Sequence, residues 1–255
     1  MQRYLCKSCG CTFSGVGGFV GRHLPESVIV RTISMVAAKM SPAEACSQLK
    51  LEGICIHPTT VSNWVSDYSS IMCRFSAMLR INTCHMWHVD EIYFKVLKKA
   101  RYLFAVMDSE SRFILAYHIS KDKQGAKLTR LFRAAAFCSM RPPRILISDG
   151  LRDFCAPARK VFHRMSGPRF VHICEIHLKN IFNQNNIYER LNGEYKDRLK
   201  CIRGLKSENP AIISMIVAYH NFFREHTSLD NNMTPAEAIR DRHCTCYRFG
   251  TFTQV

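Results

Sequence analysis

The chain has 255 residues, 47% of them apolar, which is enough for a real core and argues against disorder. Lys and Arg number 36 against 20 Asp and Glu, a formal net charge of +16, so the expected partner is a polyanion, with nucleic acid ahead of an anionic membrane surface. No apolar run approaches the ~18–20 residues of a spanning helix, and the opening MQRYLCKSCG has no apolar stretch followed by a small-residue cleavage site, so neither a membrane anchor nor a signal peptide is expected. The 13 cysteines are scattered, which fits reduced thiols in the cytoplasm rather than a disulfide framework.

Four zones follow one another. Residues 1–23 hold CKSCGC, in which Cys6 and Cys9 have the C-x2-C spacing of half a tetrahedral zinc site. The other half does not lie close by. His23, or His243, Cys244 and Cys246, would complete it only by long-range closure, so the expectation leans towards a knuckle without zinc.

Residues 24–80 read as helices. Val28, Ile29, Ile33, Val36 and Ala37 share one face of the first. Ser41 and Glu44 form a capping box for the second, with Pro42 at its first position. TTVSNWVSDYSSIM, after a short turn, is a third, with Val61, Trp64, Val65 and Tyr68 inward and Thr60, Ser62 and Asn63 outward. Capped helix, turn and helix match helix-turn-helix geometry, which makes these three polar residues the candidates for DNA contact.

Residues 82–226 carry alternating runs. MWHVDEIYFKV is followed by two strands around the turn residues Asp108, Ser109 and Ser111, an antiparallel meander. A helix over KQGAKLTRLFRAAAFCSM, the strand RILISDG, a helix over LRDFCAPARKVFHRM, the strand RFVHICEI and a long helical stretch from about Asn185 complete a β-β-β-α-β-α-β-α order, a mixed α/β fold. In the last zone, 227–255, Thr234 and Glu237 cap a short helix that starts at Pro235.

Acids are the scarce charge, so their positions are informative. Asp90 is mid-strand, where aspartate is depleted. Alternation puts it on a face with His88, Ile92 and Phe94, whereas Glu91 points the other way with Val89 and Tyr93 and reads as structural. Asp149 ends the strand RILISDG, and ligand sites of open α/β sheets gather at strand carboxyl ends. In NNIYERLNGEYKDRLKCIRGLK a buried stripe of Tyr188, Leu191, Tyr195, Leu199 and Ile202 leaves Glu189 at the edge of the core, with Gly193 one turn on. Arg190, Lys196, Arg198, Lys200, Arg203 and Lys206 add positive charge around it. Several carboxylates in one site repel one another unless a hard cation joins them, and Mg²⁺ prefers such oxygens. Acids at the centre with bases around them suit two-metal phosphodiester chemistry.

These residues resemble the ribonuclease-H-like catalytic core of DDE transposases from prokaryotic insertion sequences, kin to retroviral integrases. WHVDE, ISDG and NNIYERLNGEYKDRLKCIRGLK carry the likeness, and the ending YHNFFREHTSLDNNMTPAEAI adds Asn221, Arg224, His226, Leu229 and Thr234 to Glu237. The resemblance implies a ribonuclease-H-like mixed sheet flanked by helices behind a helix-turn-helix domain. It implies that Asp90, Asp149 and Glu189 hold Mg²⁺ or Mn²⁺ and that element ends are cut and their 3′-hydroxyls joined to target DNA. It also implies that the surrounding Lys and Arg bind phosphates and that the protein works on terminal inverted repeats as a homodimer or larger synaptic complex. The spacing from Asp149 to Glu189 is a few residues longer than in the best-known members; Glu194 is an in-register rival but lacks the preceding Asn pair. The chain also begins inside the family's zinc-ribbon motif, without its first cysteine pair. Two other readings share these features: a ribonuclease-H or resolvase-type nuclease without strand transfer, and a non-catalytic DNA-binding protein descended from a transposase.

Overall fold

The computed structural model describes residues 3–5, 12–14, 23–123, 125–148, 152–174, 193, 195, 197 and 211–241. The chain divides into two compact units, Met1–Trp64 and Val65–Val255.

In the first unit, β1 (Arg3–Leu5) pairs antiparallel with β2 (Thr12–Ser14), and the two bracket Cys6 and Cys9 in sequence. Helix α1 (Glu26–Ala37) buries Ile29, Thr32, Ile33, Val36 and Ala37, the stripe its periodicity predicts. Helix α2 (Pro42–Leu51) starts at the expected capping box: Ser41 Oγ accepts the Glu44 amide at 3.2 Å and the Glu44 carboxylate accepts the Ser41 amide at 2.7 Å. Helix α3 runs Pro58–Met78, several residues beyond the segment its apolar pattern marks, and its opening turns bury Val61 and Trp64.

The second unit is built on one five-stranded sheet, in the order β5-β4-β3-β6-β7. Strands β3 (Met86–Val96), β4 (Lys99–Asp108) and β5 (Ile114–Ser120) form the antiparallel meander; β6 (Ile145–Ser148) and β7 (Val171–Cys174) join parallel to β3. Three antiparallel strands followed by two parallel ones reached through helical crossovers are the ribonuclease-H-like arrangement that the sequence implies. Leu97 and Lys98 close the β3–β4 hairpin with φ of 49° and 62°, the paired left-handed geometry that suits a twisted two-residue hairpin. At the other end, Asp108 is fully buried and takes three donors: the amide of Cys84 at 2.8 Å, the amide of Ser111 at 2.9 Å and the Ser111 hydroxyl at 2.6 Å. It is a turn residue, as its neighbours in sequence suggest.

Helix α4 (Gly125–Cys138) covers one face of the sheet. Trp87, Val89, Phe104 and Leu146 pack there against Leu128, Phe132, Phe154 and Phe162, with Trp87 edge-on to Phe162 at 5.5 Å and Phe104 edge-on to Phe154 at 5.8 Å. The segment expected as one helix after Asp149 is a chain of short pieces instead: 3-10 at Arg152–Phe154, α at Cys155–Ala158, π at Arg159–His163, α at Arg164–Ser166 and 3-10 at Gly167–Arg169. Pro157 supplies no amide hydrogen, so one ladder bond cannot form and the hydrogen-bond register changes across it. Helix α5 (Ala211–Phe222) covers the opposite face, where Ile213, Ile216 and Val217 meet Ile92, Phe94, Leu103 and Ala105. Helix α6 (Pro235–Asp241) opens with the predicted box: the Thr234 amide donates to the Glu237 carboxylate at 2.9 Å and the Glu237 amide to Thr234 Oγ1 at 3.3 Å. Among the described residues no helix is long and apolar enough to cross a membrane.

Candidate active site

Strand β3 is eleven residues long and has different neighbours on its two edges. Its ladder with β4 continues to the Val96–Lys99 pair. Its described ladder with β6 runs from the pair Met86–Ile145 to the pair Val89–Ser148. Asp90 is the residue that follows Val89. It is 6% exposed, it pairs with Ala105 across β4, and its carboxylate accepts the Glu91 amide at 2.7 Å. A carboxylate buried this deeply in a sheet is costly unless other groups stabilise its charge, and an oxygen-only donor of this kind suits a hard cation.

Alternation holds as the sequence predicts. Ile92 and Phe94 pack with Ala105, Leu103 and α5, so Asp90 is on the α5 face. His88 is on that face too, nearer the start of the strand, where its Nε2 is 3.1 Å from Ser109 Oγ. Glu91 turns to the other face and pairs with Lys123 at 2.5 Å, while Lys123 Nζ also sits 5.0 Å from the centre of the Tyr102 ring. Burial of the Lys123 amine works to lower its pKa, but the hydrogen bond and charge of Glu91 outweigh it and the net shift is upward. Lys123 is a partner that sequence reading missed, because nothing local marks a contact across 32 residues.

Asp149 and Glu189 lie outside the described residues, as do Arg190, Lys196, Arg198, Lys200, Arg203, Lys206, Cys6 and Cys9. Two neighbours of the acids are described. Ser148, directly before Asp149, is 3% exposed and pairs with Val89. Tyr195, six residues after Glu189, is helical and fully buried in the cluster that holds Ile92, Phe94 and Ile213, on the face of Asp90. Tyr195 is thus buried as the helical stripe predicts. Among the described residues, no heavy atom lies within 4 Å of a Cβ added at Gly193. Of the three candidate base-reading residues in the first unit, Ser62 and Asn63 are exposed and Thr60 is half-buried. Among the described residues no group of three or more His, Cys, Asp or Glu is placed to share a metal.

A second polar array lies beside the end of β6. Ser148 Oγ is 3.0 Å from His172 Nε2 on β7 and 3.8 Å from Cys174 Sγ. Burial, followed by the charge of Arg159, lowers the His172 pKa, so the ring is neutral near pH 7. At the far end of the sheet Asn221 takes the Ile114 amide at 2.9 Å and donates to the Ile114 carbonyl at 3.0 Å, which pins α5 to β5.

A family model described as a DDE domain matches residues 84–228. The transposase for insertion sequence-like element IS431mec of Staphylococcus aureus is 31% identical over 91 residues, covering 36% of this chain and 35% of the relative. The transposase for insertion sequence element IS257 in transposon Tn4003, also of Staphylococcus aureus, gives the same figures. The match therefore spans about a third of the length of these curated relatives. Among solved structures, the HTLV-2 integrase catalytic core domain in complex with magnesium is similar at 16% identity and a TM-score of 0.44, covering 62% of this chain and 97% of that one. The BIV integrase catalytic core domain is similar at 16% identity and a TM-score of 0.47, covering 62% and 95%.

Proposed function

Because the chain belongs to the DDE-domain family of insertion-sequence transposases, we propose that it cuts DNA at the ends of a mobile element and joins the freed 3′-hydroxyls to target DNA. Asp90, Asp149 and Glu189 are the acids of this site. The observation that carries the reading is the pairing of Val89 with Ser148 on adjacent parallel strands: Asp90 directly follows the one in sequence and Asp149 the other. Ile147 pairs with His88, on the side of Asp90, and alternation two residues on in sequence supports assigning Asp149 to that side. Tyr195, six residues after Glu189 in sequence, is buried on the same face, which supports Glu189 as the third acid.

The three carboxylates would hold Mg²⁺ or Mn²⁺; when bound, such an ion lowers the pKa of an attacking water or hydroxyl and stabilises the leaving oxygen. Asp90 contributes a fixed position, since its strand is paired to β4 on one edge and its carboxylate is tied to the Glu91 amide. Arg190, Lys196, Arg198, Lys200, Arg203 and Lys206 bind phosphates near the cut, and Thr60, Ser62 and Asn63 contact the terminal repeats. Hydrolysis leaves a 3′-hydroxyl on the element end. In the second step that hydroxyl attacks a target phosphodiester, one bond forms as another breaks, and no protein–DNA covalent bond is needed. Both ends must be cut together, so the working form is a homodimer or larger synaptic complex. Zinc at Cys6 and Cys9 is not required by this reading.

The test compares wild type with Asp149→Asn on DNA carrying an element end, with Mg²⁺. The amide keeps the shape of the side chain and removes a charge that both holds metal and repels phosphate. DNA affinity stays equal or rises slightly, and cleavage falls by orders of magnitude. Adding pre-cut 3′-hydroxyl ends to wild type yields joined products; if cutting occurs and joining never does, the protein is a nuclease and not a transposase. Loss of binding with intact cleavage in Asp149→Asn would make Asp149 a turn residue and overturn the assignment.

A further inference from the structure

Strands β3 and β4 run on past β5 as a basic two-stranded ribbon. The β4–β5 ladder begins at the pair Tyr102–Ser120, whereas β4 pairs with β3 from Lys99 onward. Residues 92–107 hold Lys95, Lys98, Lys99 and Arg101 and no acid. Arg101 is buried, and its guanidinium donates to the Ala100 carbonyl at 2.8 Å. The three lysines are exposed, and none of them pairs with an acid among the described residues. Lys95 pairs with Ala100 and shares the face of Glu91, which is already taken by Lys123. Lys99 pairs with Val96 and shares the face of Asp90, and Lys98 is in the turn, so positive charge covers both faces of the tip. Two further features set this turn apart from an ordinary solvated one. Leu97 and Lys98 take φ of 49° and 62°, a geometry that asparagine and glycine adopt at less cost, so turn stability alone favours neither leucine nor lysine there. Leu97 is also 59% exposed, and Tyr93, two residues before Lys95, is 50% exposed.

We propose that the β3–β4 hairpin tip binds duplex DNA through its phosphates, with Lys95, Lys98 and Lys99 as the contacts. The proposal rests on the reading of the chain as a DNA-cutting protein in which Asp90 is an acid of the site. Lys95 is five residues beyond Asp90 on the same strand, about 17 Å at ~3.4 Å per residue. B-DNA rises about 3.4 Å per base pair, so a duplex held at Asp90 and lying along β3 presents to the tip phosphates about five base pairs from the cut. Each ammonium group brings three donors to a phosphate, and no neighbouring carboxylate competes for them. A two-stranded ribbon is also narrow enough to follow a major groove about 12 Å wide. Such contacts hold and orient the duplex without reading its sequence.

The experiment measures the affinity of the full chain for a random-sequence duplex of about 30 base pairs, by fluorescence anisotropy, between about 50 and 200 mM salt. One variant carries Lys95→Gln, Lys98→Gln and Lys99→Gln. A second carries Arg133→Gln, Arg141→Gln and Arg144→Gln, which removes the same charge from exposed side chains on α4 and ahead of β6. All six side chains are exposed, and circular dichroism checks that both variants fold like wild type. The hairpin variant lowers the slope of log affinity against log salt by about 0.9 per lost contact, or about 2.7 in all. Over this salt range wild type therefore loses about 40-fold more affinity than the hairpin variant does. The second variant changes the slope by less than about 1. If the hairpin variant keeps the wild-type slope, or if both variants lose it equally, the tip makes no contact of its own and the proposal is wrong. If the hairpin variant keeps its DNA slope but stops binding phosphatidylserine vesicles that wild type binds, the tip is a membrane contact and the proposal is likewise overturned. Wild type that shows no salt-dependent DNA binding at all defeats the underlying reading, a result distinct from failure of the hairpin alone.

Discussion

Asn221→Ala tests how α5 is held against the sheet. The side chain is fully buried and makes both of its bonds to the backbone of one residue, accepting from the Ile114 amide at 2.9 Å and donating to the Ile114 carbonyl at 3.0 Å. Ile114 is 2% exposed, so water does not replace the lost amide without opening the edge of β5. Two orphaned backbone groups at about 1–3 kcal/mol each give a loss of about 2–6 kcal/mol, a large share of the ~5–15 kcal/mol typical of a domain. With a urea dependence of about 2 kcal/mol per molar, the unfolding midpoint falls by about 1–3 M. Fluorescence reports it cleanly, because the chain has 2 tryptophans and a Trp64→Phe background leaves only Trp87, which is fully buried in the second unit. Asn221→Asp keeps the acceptor but turns a carboxylate oxygen towards the Ile114 carbonyl, so it costs at least as much. A midpoint shift below about 0.3 M for Asn221→Ala, with unchanged slope, would refute the reasoning: the clamp would be worth less than one ordinary hydrogen bond.

Three further outcomes are expected. Burial first, and then the charges of His220, Arg224 and Arg112, push the His226 pKa down from 6.5 to about 3, so the folded state holds this ring neutral. Its contribution is present above about pH 6.5 and is lost as pH falls towards 3; urea midpoints measured across that window drop steadily, and His226→Gln makes the profile shallower. Glu91→Gln breaks the pair with Lys123, whose side chains are 21% and 31% exposed, and costs under about 1 kcal/mol while Mg²⁺-dependent cleavage stays within threefold; a loss of cleavage comparable to that of Asp149→Asn would put Glu91 among the acids. Lys196→Ala with Arg203→Ala lowers DNA affinity across sequences and reduces the slope of log affinity against log salt by about 0.9 per lost contact on duplex DNA. An unchanged slope in a salt titration would take both residues off the phosphate path.

What could be read in the sequence was whatever chemistry is local. The capping boxes at Ser41–Glu44 and Thr234–Glu237 span one helical turn, and both form as expected. The alternation in MWHVDEIYFKV gave Asp90 and Glu91 their opposite faces because strand parity is a property of consecutive residues. Asp108 read as a turn residue from its serines, and one of them, Ser111, is in part what binds it. The unread part is contact between distant positions. Ser148 meets His172 across 24 residues, Cys73 meets Tyr117 across 44, Tyr117 meets Ser214 across 97, and Asn221 meets Ile114 across 107. Asn221 was visible only as part of a familiar ending; its reason, a peptide clamp on the edge strand, needed the fold. The run after Asp149 failed differently. Its apolar spacing is helical, but Pro157 breaks the amide ladder, and periodicity alone says nothing about hydrogen-bond register.

Position 90 differs from its neighbours in strand β3 in the face it points to and in what that face holds. One residue earlier, Val89 is 1% exposed in the cluster with Trp87, Phe104 and Leu146, where a carboxylate would be buried among aromatic rings without a donor. One residue later, Glu91 turns to the face of α4 and is taken by Lys123. At 90 parity points to the α5 face, one residue past the last described pair of β3 and β6, Val89–Ser148. The pairing with β4 continues through this point and keeps the strand straight and rigid. A carboxylate there is held at a fixed backbone position and is 6% exposed, so in the proposed site the cation would have to stabilise its charge in place of water.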